Sequence, residues 1–451
     1  MVEDIIFNNR PSVLNQQTII RRRHSRKRFA FLLSPLVLVA LLVFIILVAC
    51  VSLSSISKEE YTKQINSASQ PTVVAAAGSE IVKPAPQRRL SVEAVTRFLR
   101  PHMSSLRNNN TFLAKCTNGE TLTITTSLDL KLQEYLRNVL YHSMAAAGAA
   151  VAINPEDGTV LSLVDFGGDS DKPLYLTALP AASIFKIITA ASALETTGLN
   201  LLSKIPYNGQ KHTLYWSNLS TRVTRHTNYV TFEKAFAQSI NPVFAKIGMY
   251  HVGPDKLTAL GEKFGFNKPF PTDLPVETSQ LIVPSSSFEV AEMASGYNKV
   301  TLISPVHAAW IACVILNRGC SHFMGVVNQV KSDRGDVLYE YKSEKLQSIV
   351  SQETSNELQE MMRCTVLEGT ARRSFCRWQN KIREGTLDVG GKTGSINNYE
   401  DTIRYDWFVG YGKGSSEKKS IVIAVVLLHG KRAGIKAHKV AQLLIQQYFH
   451  L

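Results

Sequence analysis

The sequence predicts a domain of the mixed α/β (α+β) class, with one antiparallel sheet flanked by helices and an inserted all-helical subdomain. Residues 149–153 and 160–164 are apolar runs around an Asn-Pro-Glu-Asp-Gly turn, the pattern of a β-hairpin. Three further strand-like runs, 387–396, 407–411 and 421–428, lie near the C-terminus. The residues between these two groups have mostly helical spacing. We therefore expect strands from both ends of the domain to pair in one sheet.

The remaining elements follow from local patterns. Residues 91–99 favour a short helix, and residues 121–126 alternate apolar side chains with threonine as a strand does. Residues 129–142 and 437–449 have the spacing of amphipathic helices, and the latter closes the domain.

The composition excludes a disordered or fibrous chain. The protein has 451 residues, of which 45% are hydrophobic and 19% charged, enough to bury a core. Lys and Arg number 50 against 36 Asp and Glu, a formal charge of +14. Such an excess indicates nucleic acid, an anionic membrane or an anionic polymer as a partner, depending on where the charge lies.

The charge is concentrated before an apolar segment. Residues 29–51 contain no charged side chain and are long enough to cross a bilayer as a helix. The tail before them, residues 1–28, has seven basic and two acidic residues, a net +5, which leaves +9 for the rest of the chain. By the positive-inside rule the N-terminus stays cytoplasmic and the chain after residue 51 is exported. We expect a single-pass protein of the cytoplasmic membrane that does not bind nucleic acid.

Two other interpretations of this segment stay open. A cleaved signal peptide has a shorter apolar stretch, of about 7 to 15 residues. Leu47-Val48-Ala49-Cys50 resembles a lipoprotein processing site, with Cys50 as the acceptor. The predicted organisation is a basic cytoplasmic tail (1–28), a transmembrane anchor (29–51), a linker and short membrane-proximal segment (52–114) and one catalytic domain (115–451).

The cysteines predict neither a bridge nor a metal site. Five of the six cysteines follow Cys50, so at least one of them stays unpaired, and the pairing of the others is open. No CxxC or Cys/His ligand spacing is present.

A serine and a lysine are placed for nucleophilic catalysis. Ser183 and Lys186 are three residues apart at the start of an apolar helical run, so they share a helix face. In a partly apolar cleft the pKa of the lysine falls, and the neutral amine can take the proton of the serine hydroxyl. The same spacing also occurs at Ser55, Ser415 and Ser416, so this pair alone is weak evidence.

Two further motifs follow in order. Ser239-Ile240-Asn241 lies in a predicted helical stretch, 232–245. Lys392-Thr393-Gly394-Ser395 lies on the predicted strand 387–396, where Lys392 and Gly394 share a face. Glycine there lets a bound backbone come close.

Together the three motifs resemble those of the penicillin-binding protein transpeptidase family, S-x-x-K, S-x-N and K-T-G. The resemblance covers about residues 115 to 450 and implies the fold shared with serine β-lactamases. The chain is similar to the monofunctional, class B members of this family, and it resembles a short form of them. The segment before the domain is too short for a glycosyltransferase domain or a full pedestal. Family pedestals contact polymerising glycosyltransferases of the cell-wall machinery, the protein partner that the family implies.

The resemblance assigns roles residue by residue. Ser183 is the acylated nucleophile and Lys186 its general base. Ser239 relays protons to the leaving amine, and Asn241 holds the substrate amide and Lys186. Lys392 gives electrostatic support.

Substrate binding falls to the third motif. Thr393 binds the terminal carboxylate, Gly394 admits the substrate backbone, and the N–H groups of Ser183 and Ser395 form the oxyanion hole. At three positions the chain departs mildly from the residues that are usual in the family. These positions are Ala182, Ile184 and Ser395.

The resemblance implies acyl transfer without a metal or an organic cofactor. The expected substrates are peptidoglycan stem peptides ending in D-Ala-D-Ala, and β-lactams are expected to acylate the same serine. Alternatives remain open. The acyl-enzyme could pass to water, as in a D,D-carboxypeptidase or a β-lactamase, or the protein could be a non-catalytic β-lactam sensor or scaffold.

Overall fold

The computed structural model describes residues 89–116, 119–168, 172–415, 419–432 and 434–451. The predicted tail and anchor and the first part of the linker, through residue 88, lie outside these ranges. In the part of the chain that is described, no helix is both long and apolar enough to span a bilayer.

The strands, in chain order, are β1 (Thr111–Lys115), β2 (Thr121–Thr126), β3 (Ala147–Ile153), β4 (Val160–Phe166), β5 (Leu179–Pro180), β6 (Lys204–Tyr207), β7 (Asn228–Thr231), β8 (Leu302–Ile303), β9 (Cys320–His322), β10 (Val327–Lys331), β11 (Val337–Glu340), β12 (Lys345–Ser348), β13 (Leu387–Asn397), β14 (Arg404–Gly414) and β15 (Ser420–His429).

The α-helices are α1 (Val92–Leu99), α2 (Leu130–Tyr141), α3 (Lys186–Thr196), α4 (Phe232–Ala237), α5 (Asn241–Lys246), α6 (Pro254–Lys263), α7 (Ser287–Ser295), α8 (Pro305–Leu316), α9 (Gln352–Leu367), α10 (Arg372–Phe375), α11 (Gln379–Arg383) and α12 (Ala437–Phe449). Short 3₁₀ turns join several of them, and Ala182–Phe185 forms one directly before α3.

The central sheet joins the two ends of the domain. Its order is β13-β14-β15-β3-β4, and every neighbouring pair is antiparallel. The early hairpin therefore pairs with the late strands through β15 and β3, as the sequence predicts. This order leaves β13 at one edge of the sheet, so part of its backbone is free to pair with a bound chain.

Both faces of the sheet are buried. Val422, Ala424 and Val426 of β15 belong to the core cluster that also holds Ile187 of α3. The alternate residues of β15, such as Ile423, pack in a second cluster with residues of α2 and α12. Burial on both sides explains why β15 is apolar without a break, whereas a half-exposed strand alternates.

Capping side chains set the helix starts. Ser91 accepts a hydrogen bond from the backbone N–H of Ala94 at the start of α1, and Asp129 caps α2 in the same way. The buried carboxylate of Asp406 on β14 accepts from the backbone N–H of Ala437 at 2.9 Å, which fastens the start of α12 to the sheet.

The region between the two hairpins is not all helical, which corrects the prediction. It contains the two-stranded pairs β6–β7, β5–β8 and β9–β12. In addition, β10 and β11 extend a second sheet with β1 and β2. The strands of this region, β5 to β12, have two to five residues, too short for a period-2 pattern to stand out from helical neighbours. The strand β1 also crosses the predicted boundary at residues 114 and 115.

Candidate active site

The Ser183 turn is held from two sides. The indole N–H of Trp407 on β14 donates to the carbonyl oxygen of Pro180 at 2.9 Å, which ties the segment to the sheet. Ala182 has a φ of 48°, a left-handed conformation uncommon for a residue with a side chain. Gly296, after α7, lies so close that a Cβ atom there would be 1.9 Å from the Ala182 carbonyl oxygen. The 3₁₀ turn and α3 then place Ser183 and Lys186 on one face.

Lys186 is the centre of a hydrogen-bond network. Its Nζ donates to Ser183 Oγ at 2.8 Å, to Asn241 Oδ1 at 2.7 Å and to the Ser295 carbonyl oxygen at 2.5 Å. The side chain is fully buried, and its Nζ lies 5.6 Å from the ring centroid of Phe244. These acceptors fix the amine at the serine hydroxyl.

The environment of Lys186 favours the neutral amine. Burial holds the pKa of Lys186 well below its usual range, and the charge of Lys392 lowers it further. None of its hydrogen-bond acceptors carries a charge to offset these effects. The neutral amine has two N–H groups, which suffice for Asn241 Oδ1 and the Ser295 carbonyl oxygen. Its lone pair can then accept from the Ser183 hydroxyl 2.8 Å away, the arrangement that general-base activation requires.

Ser239 lies in a break between two helices, not within one helix as the sequence pattern predicts. Helix α4 ends at Ala237 and α5 begins at Asn241. Ser239 has a φ of 54°, the left-handed region, which interrupts the helical ladder. Pro242 at the start of α5 has no N–H to continue that ladder, so it favours a helix start here. The break turns Ser239 toward the cleft.

Lys392 reaches this turn from β13. Its Nζ donates to Ser239 Oγ at 2.9 Å and to the Thr393 carbonyl oxygen at 2.9 Å. The side chain is fully buried, and burial lowers the pKa of Lys392 to about 7. Near neutral pH this ammonium therefore exchanges its proton readily.

Strand β13 passes close to the Ser183 turn at Gly394. A Cβ atom at Gly394 would lie 3.3 Å from the backbone nitrogen of Ser183, so only glycine leaves the space between strand and turn free. The hydroxyl groups of Thr393 and Thr370 are 2.5 Å apart, and Nη2 of Arg404 donates to Ser395 Oγ at 2.9 Å. The hydroxyl groups of Thr370, Thr393 and Ser395 and the guanidinium of Arg404 thus lie together, and we call this part of the cleft the far end of the site.

The predicted residues meet at one cleft. It has a volume of about 1000 Å³. The residues of the prediction that line it are Ser183, Ser239, Asn241, Thr393, Gly394 and Ser395. Lys186 and Lys392 lie buried beneath its floor, each bonded to one of the two serines.

Four residues that the sequence did not single out also belong to the site. Thr370, His212 and Arg404 line the cleft, and the Ser295 carbonyl oxygen accepts from Lys186. They come from loops or element ends outside the three motifs. No local pattern marks them, because only the tertiary fold brings them to the cleft.

The described residues contain no group of three or more His, Cys, Asp or Glu side chains arranged to hold a metal ion.

Comparison with known proteins identifies the fold. The family model for the "Penicillin binding protein transpeptidase domain" matches residues 148–446, more than half of the chain. The chain belongs to the penicillin-binding protein transpeptidase family. The match includes all three motifs and the five strands of the central sheet except the first residue of β3.

Two curated relatives show similarity over part of their length. Stage V sporulation protein D of Bacillus subtilis is 25% identical over 267 residues, which cover 56% of this chain and 40% of that protein. Peptidoglycan D,D-transpeptidase PbpA of Mycolicibacterium smegmatis is 23% identical over 314 residues, 62% of this chain and 61% of that protein. The chain therefore spans less than two thirds of the length of these relatives.

Solved structures share the transpeptidase fold. The D,D-transpeptidase domain of a peptidoglycan glycosyltransferase from Eggerthella lenta gives a TM-score of 0.59 at 23% identity, covering 72% of this chain and 82% of that one. Penicillin-binding protein A from M. tuberculosis, as an imipenem acyl-enzyme complex, gives 0.57 at 20% identity, covering 72% and 80%.

Proposed function

We propose that this protein is a membrane-anchored D,D-transpeptidase that cross-links peptidoglycan stem peptides through an acyl-enzyme at Ser183. The observation that carries the proposal is the pair of lysine–serine contacts in one cleft. Lys186 bonds Ser183 at 2.8 Å, and Lys392 bonds Ser239 at 2.9 Å. The first pair activates a nucleophile, and the second places a proton carrier across the cleft from it.

Acylation begins at Ser183. Its Oγ attacks the carbonyl carbon of the D-Ala-D-Ala bond, and the neutral Lys186 amine takes the hydroxyl proton. The N–H groups of Ser183 and Ser395 stabilise the oxyanion of the tetrahedral intermediate. The closeness of Gly394 to the Ser183 nitrogen supports this assignment, since it brings the edge strand to the nucleophile.

Collapse of the intermediate breaks the peptide bond. The leaving D-alanine nitrogen takes a proton through Ser239, whose Oγ is bonded to Lys392. The side-chain oxygen of Asn241 accepts from Lys186. The same side chain also contacts the substrate amide. The amine of a second stem then attacks the ester on Ser183 and forms the cross-link. Its proton passes through Ser239 to Lys392, and Lys186 returns its proton to Ser183 Oγ, which restores the hydroxyl.

The terminal carboxylate of the donor binds at the far end of the site. Thr393 and Ser395 supply hydroxyl donors, and Arg404 adds a guanidinium beside Ser395. Guanidinium and carboxylate groups match in geometry, and their hydrogen bonds are about twice as strong as neutral ones. A β-lactam carries a carboxylate in the corresponding place and acylates Ser183 by the same route.

Membrane attachment rests on residues 29–51, and the basic tail before them orients the chain with its catalytic domain outside the cytoplasmic membrane. A polymerising glycosyltransferase is the protein partner that this location suggests. Both are proposals from the sequence, as is the division into residues 1–28, 29–51, 52–114 and 115–451.

Product analysis tests the activity. The full chain in detergent is incubated with a stem pentapeptide ending in D-Ala-D-Ala and with a stem peptide that has a free side-chain amine. Mass spectrometry should detect the cross-linked dimer and free D-alanine, and Ser183→Ala should yield neither. Tetrapeptide without dimer would instead indicate a carboxypeptidase. A folded wild-type protein with no product would overturn the proposal.

A further inference from the structure

The loop after β6 lies against the Ser239–Asn241 turn and contacts both sides of it. The backbone N–H of Asn241 donates to the Lys211 carbonyl oxygen at 2.7 Å. The side-chain Nδ2 of Asn241 donates to the His212 carbonyl oxygen at 3.0 Å. On the other side, Nζ of Lys211 donates to Oε1 of Gln238 at 2.7 Å. The loop thus determines where the Asn241 amide presents its oxygen to Lys186.

The loop is itself braced before any substrate binds. Asn218 is buried, its Nδ2 donates to the Asn208 carbonyl oxygen at 3.0 Å, and its Oδ1 accepts from the Tyr215 N–H at 2.7 Å. Gly209 has a φ of 82°, and a Cβ atom there would be 2.2 Å from Asn218 Nδ2. A loop fixed in this way can hold a neighbouring turn without first losing conformational entropy.

The His212 side chain enters the same cleft as Ser183, Ser239 and Asn241. The backbone of Ser239 interacts with the ring and raises the pKa of the imidazole, as a carbonyl acceptor beside a ring N–H does. Ser239 has a φ of 54°, a backbone conformation that persists only where surrounding contacts impose it. The ring of His212 supplies one such contact, and the three hydrogen bonds of Lys211 and His212 hold the residues on either side of Ser239.

Charged groups surround the ring from three elements. They are Lys186 at the start of α3, Lys392 on β13 and Lys211 in the same loop. Burial lowers the pKa of His212, these lysines lower it further, and the Ser239 backbone partly opposes them. At neutral pH the imidazole is therefore uncharged and has a single N–H to donate. A backbone carbonyl can only accept, so that N–H is committed to Ser239.

We propose that His212 is a positioning residue for acyl transfer, which holds Ser239 and Asn241 in place against Lys392 and Lys186. The inference rests on the proposed function, because its readout is acylation of Ser183. The hydrogen bond from Asn241 Nδ2 to the His212 carbonyl oxygen survives any substitution of the His212 side chain. The ring contact to Ser239 is therefore the part that mutation can test.

The test compares three substitutions at His212 in the full chain. His212→Ala removes the ring, His212→Phe keeps a ring without a donor, and His212→Asn keeps a donor. Stopped-flow kinetics with a fluorescent penicillin separate the binding constant of the drug from the rate constant of acylation. His226→Ala is the matched control, since this exposed histidine lies in the same β6–β7 connection and contacts Arg225.

We expect His212→Ala and His212→Phe to lower the acylation rate constant about tenfold, the effect of one lost hydrogen bond on a positioned group. The binding constant should stay near the wild-type value, His212→Asn should recover most of the rate, and His226→Ala should change nothing. Wild-type rates in His212→Ala, or equal rates in the Phe and Asn variants, would overturn the inference. So would weaker binding at an unchanged acylation rate.

The two proposals fail in different ways. If the folded wild-type protein takes up no penicillin, the function proposed for Ser183 is wrong. If the wild type is acylated and the His212 variants match it, only the positioning role is wrong. Should His212→Ala not fold, the comparison of Phe with Asn still decides.

Discussion

Lys392 Nζ lies 2.9 Å from Ser239 Oγ, although the two residues are 153 positions apart in the chain. The contact joins the edge strand of the sheet to the break between α4 and α5. It also places the second buried lysine at Ser239, whereas Lys186 lies at Ser183. Two lysine–serine pairs therefore face one cleft, and their pKa values determine when each can act.

The pH dependence of acylation should be bell-shaped. Lys186 must be neutral, and burial together with the charge of Lys392 lowers its pKa, so the rate rises with pH through that lowered pKa. Lys392 has a pKa of about 7, so its charge is present below that pH and is lost above it. We expect the wild-type acylation rate to decline above about pH 7 and Lys392→Ala to be slow without that decline. A wild-type rate that still rises at about pH 10 would mean that Lys186 keeps its ordinary pKa.

Removal of the buried charge of Lys392 should stabilise the fold. Its pKa is depressed in the folded state, so the unfolded chain binds more protons between about pH 7 and about pH 10.5, and stability rises with pH across that window. Lys392→Met removes the free-energy cost of burying the lysine charge. It should therefore raise the free energy of unfolding at pH 7 by about 1 kcal/mol or more, and acylation should be lost. The gain should shrink toward about pH 10. Urea unfolding at the two pH values measures it, and an equal or lower stability at pH 7 would contradict the account.

Loss of the general base should slow acylation without unfolding the protein. Lys186→Ala leaves Ser183 without a proton acceptor, so the acylation rate constant should fall about 10²- to 10⁴-fold. Lys246→Ala is the matched control. Lys246 is also buried with a pKa lowered by burial, but it bonds the Pro206 carbonyl oxygen at 3.2 Å. Stopped-flow labelling should separate the two variants. Similar rates in both would show that Lys186 is not the base.

The secondary-structure prediction succeeded where patterns are long. The helix predicted at 437–449 is Ala437–Phe449, and the strand predicted at 387–396 is Leu387–Asn397. The break at Ser239 was missed. Its φ is left-handed, and the neighbouring Asn241 is held by the carbonyl oxygens of Lys211 and His212, which lie 29 or more residues earlier in the chain. Local propensity carries no information about contacts that only the tertiary fold makes.

The motif residues were predicted because the three motifs, in this order, resemble those of a known family, whereas no motif marks the residues that support them. Thr370 is an ordinary threonine in a loop, and its value to the site lies in its contact with Thr393. Arg404 lies before the strand predicted at 407–411, and only the β13–β14 register brings its guanidinium to Ser395. Such residues lack a sequence pattern because their role arises from pairing between strands.

Two glycines with similar backbones offer a matched test of the Ser183 turn. Gly296 and Gly198 have φ values of 63° and 72°, so alanine at either costs about 1 kcal/mol of backbone strain. A Cβ atom at Gly296 would lie 1.9 Å from the Ala182 carbonyl oxygen. A Cβ atom at Gly198 would have no neighbouring heavy atom within 4 Å among the described residues. Gly296→Ala should therefore be the more destabilised variant and the only one with slow acylation. Thermal unfolding and penicillin labelling check both, and equal effects would separate Gly296 from the site.

Arg404 should govern affinity for a free carboxylate. Its guanidinium lies beside Ser395, so Arg404→Ala should raise KM for a stem peptide with a free D-alanine carboxylate about tenfold. The same substitution should not affect a substrate whose terminus is a carboxamide. Arg373→Ala, at an exposed arginine of α10, is the control. If both substrates are affected alike, Arg404 supports the strand and does not recognise the carboxylate.

The most direct test of the central claim is to map the penicillin adduct on the intact protein. The full chain is incubated with a penicillin, digested and sequenced by tandem mass spectrometry. The account predicts a single adduct, on the peptide that contains Ser183, with none in Ser183→Ala and none at Ser239. An adduct on another residue, or no adduct on the folded wild-type protein, would contradict it.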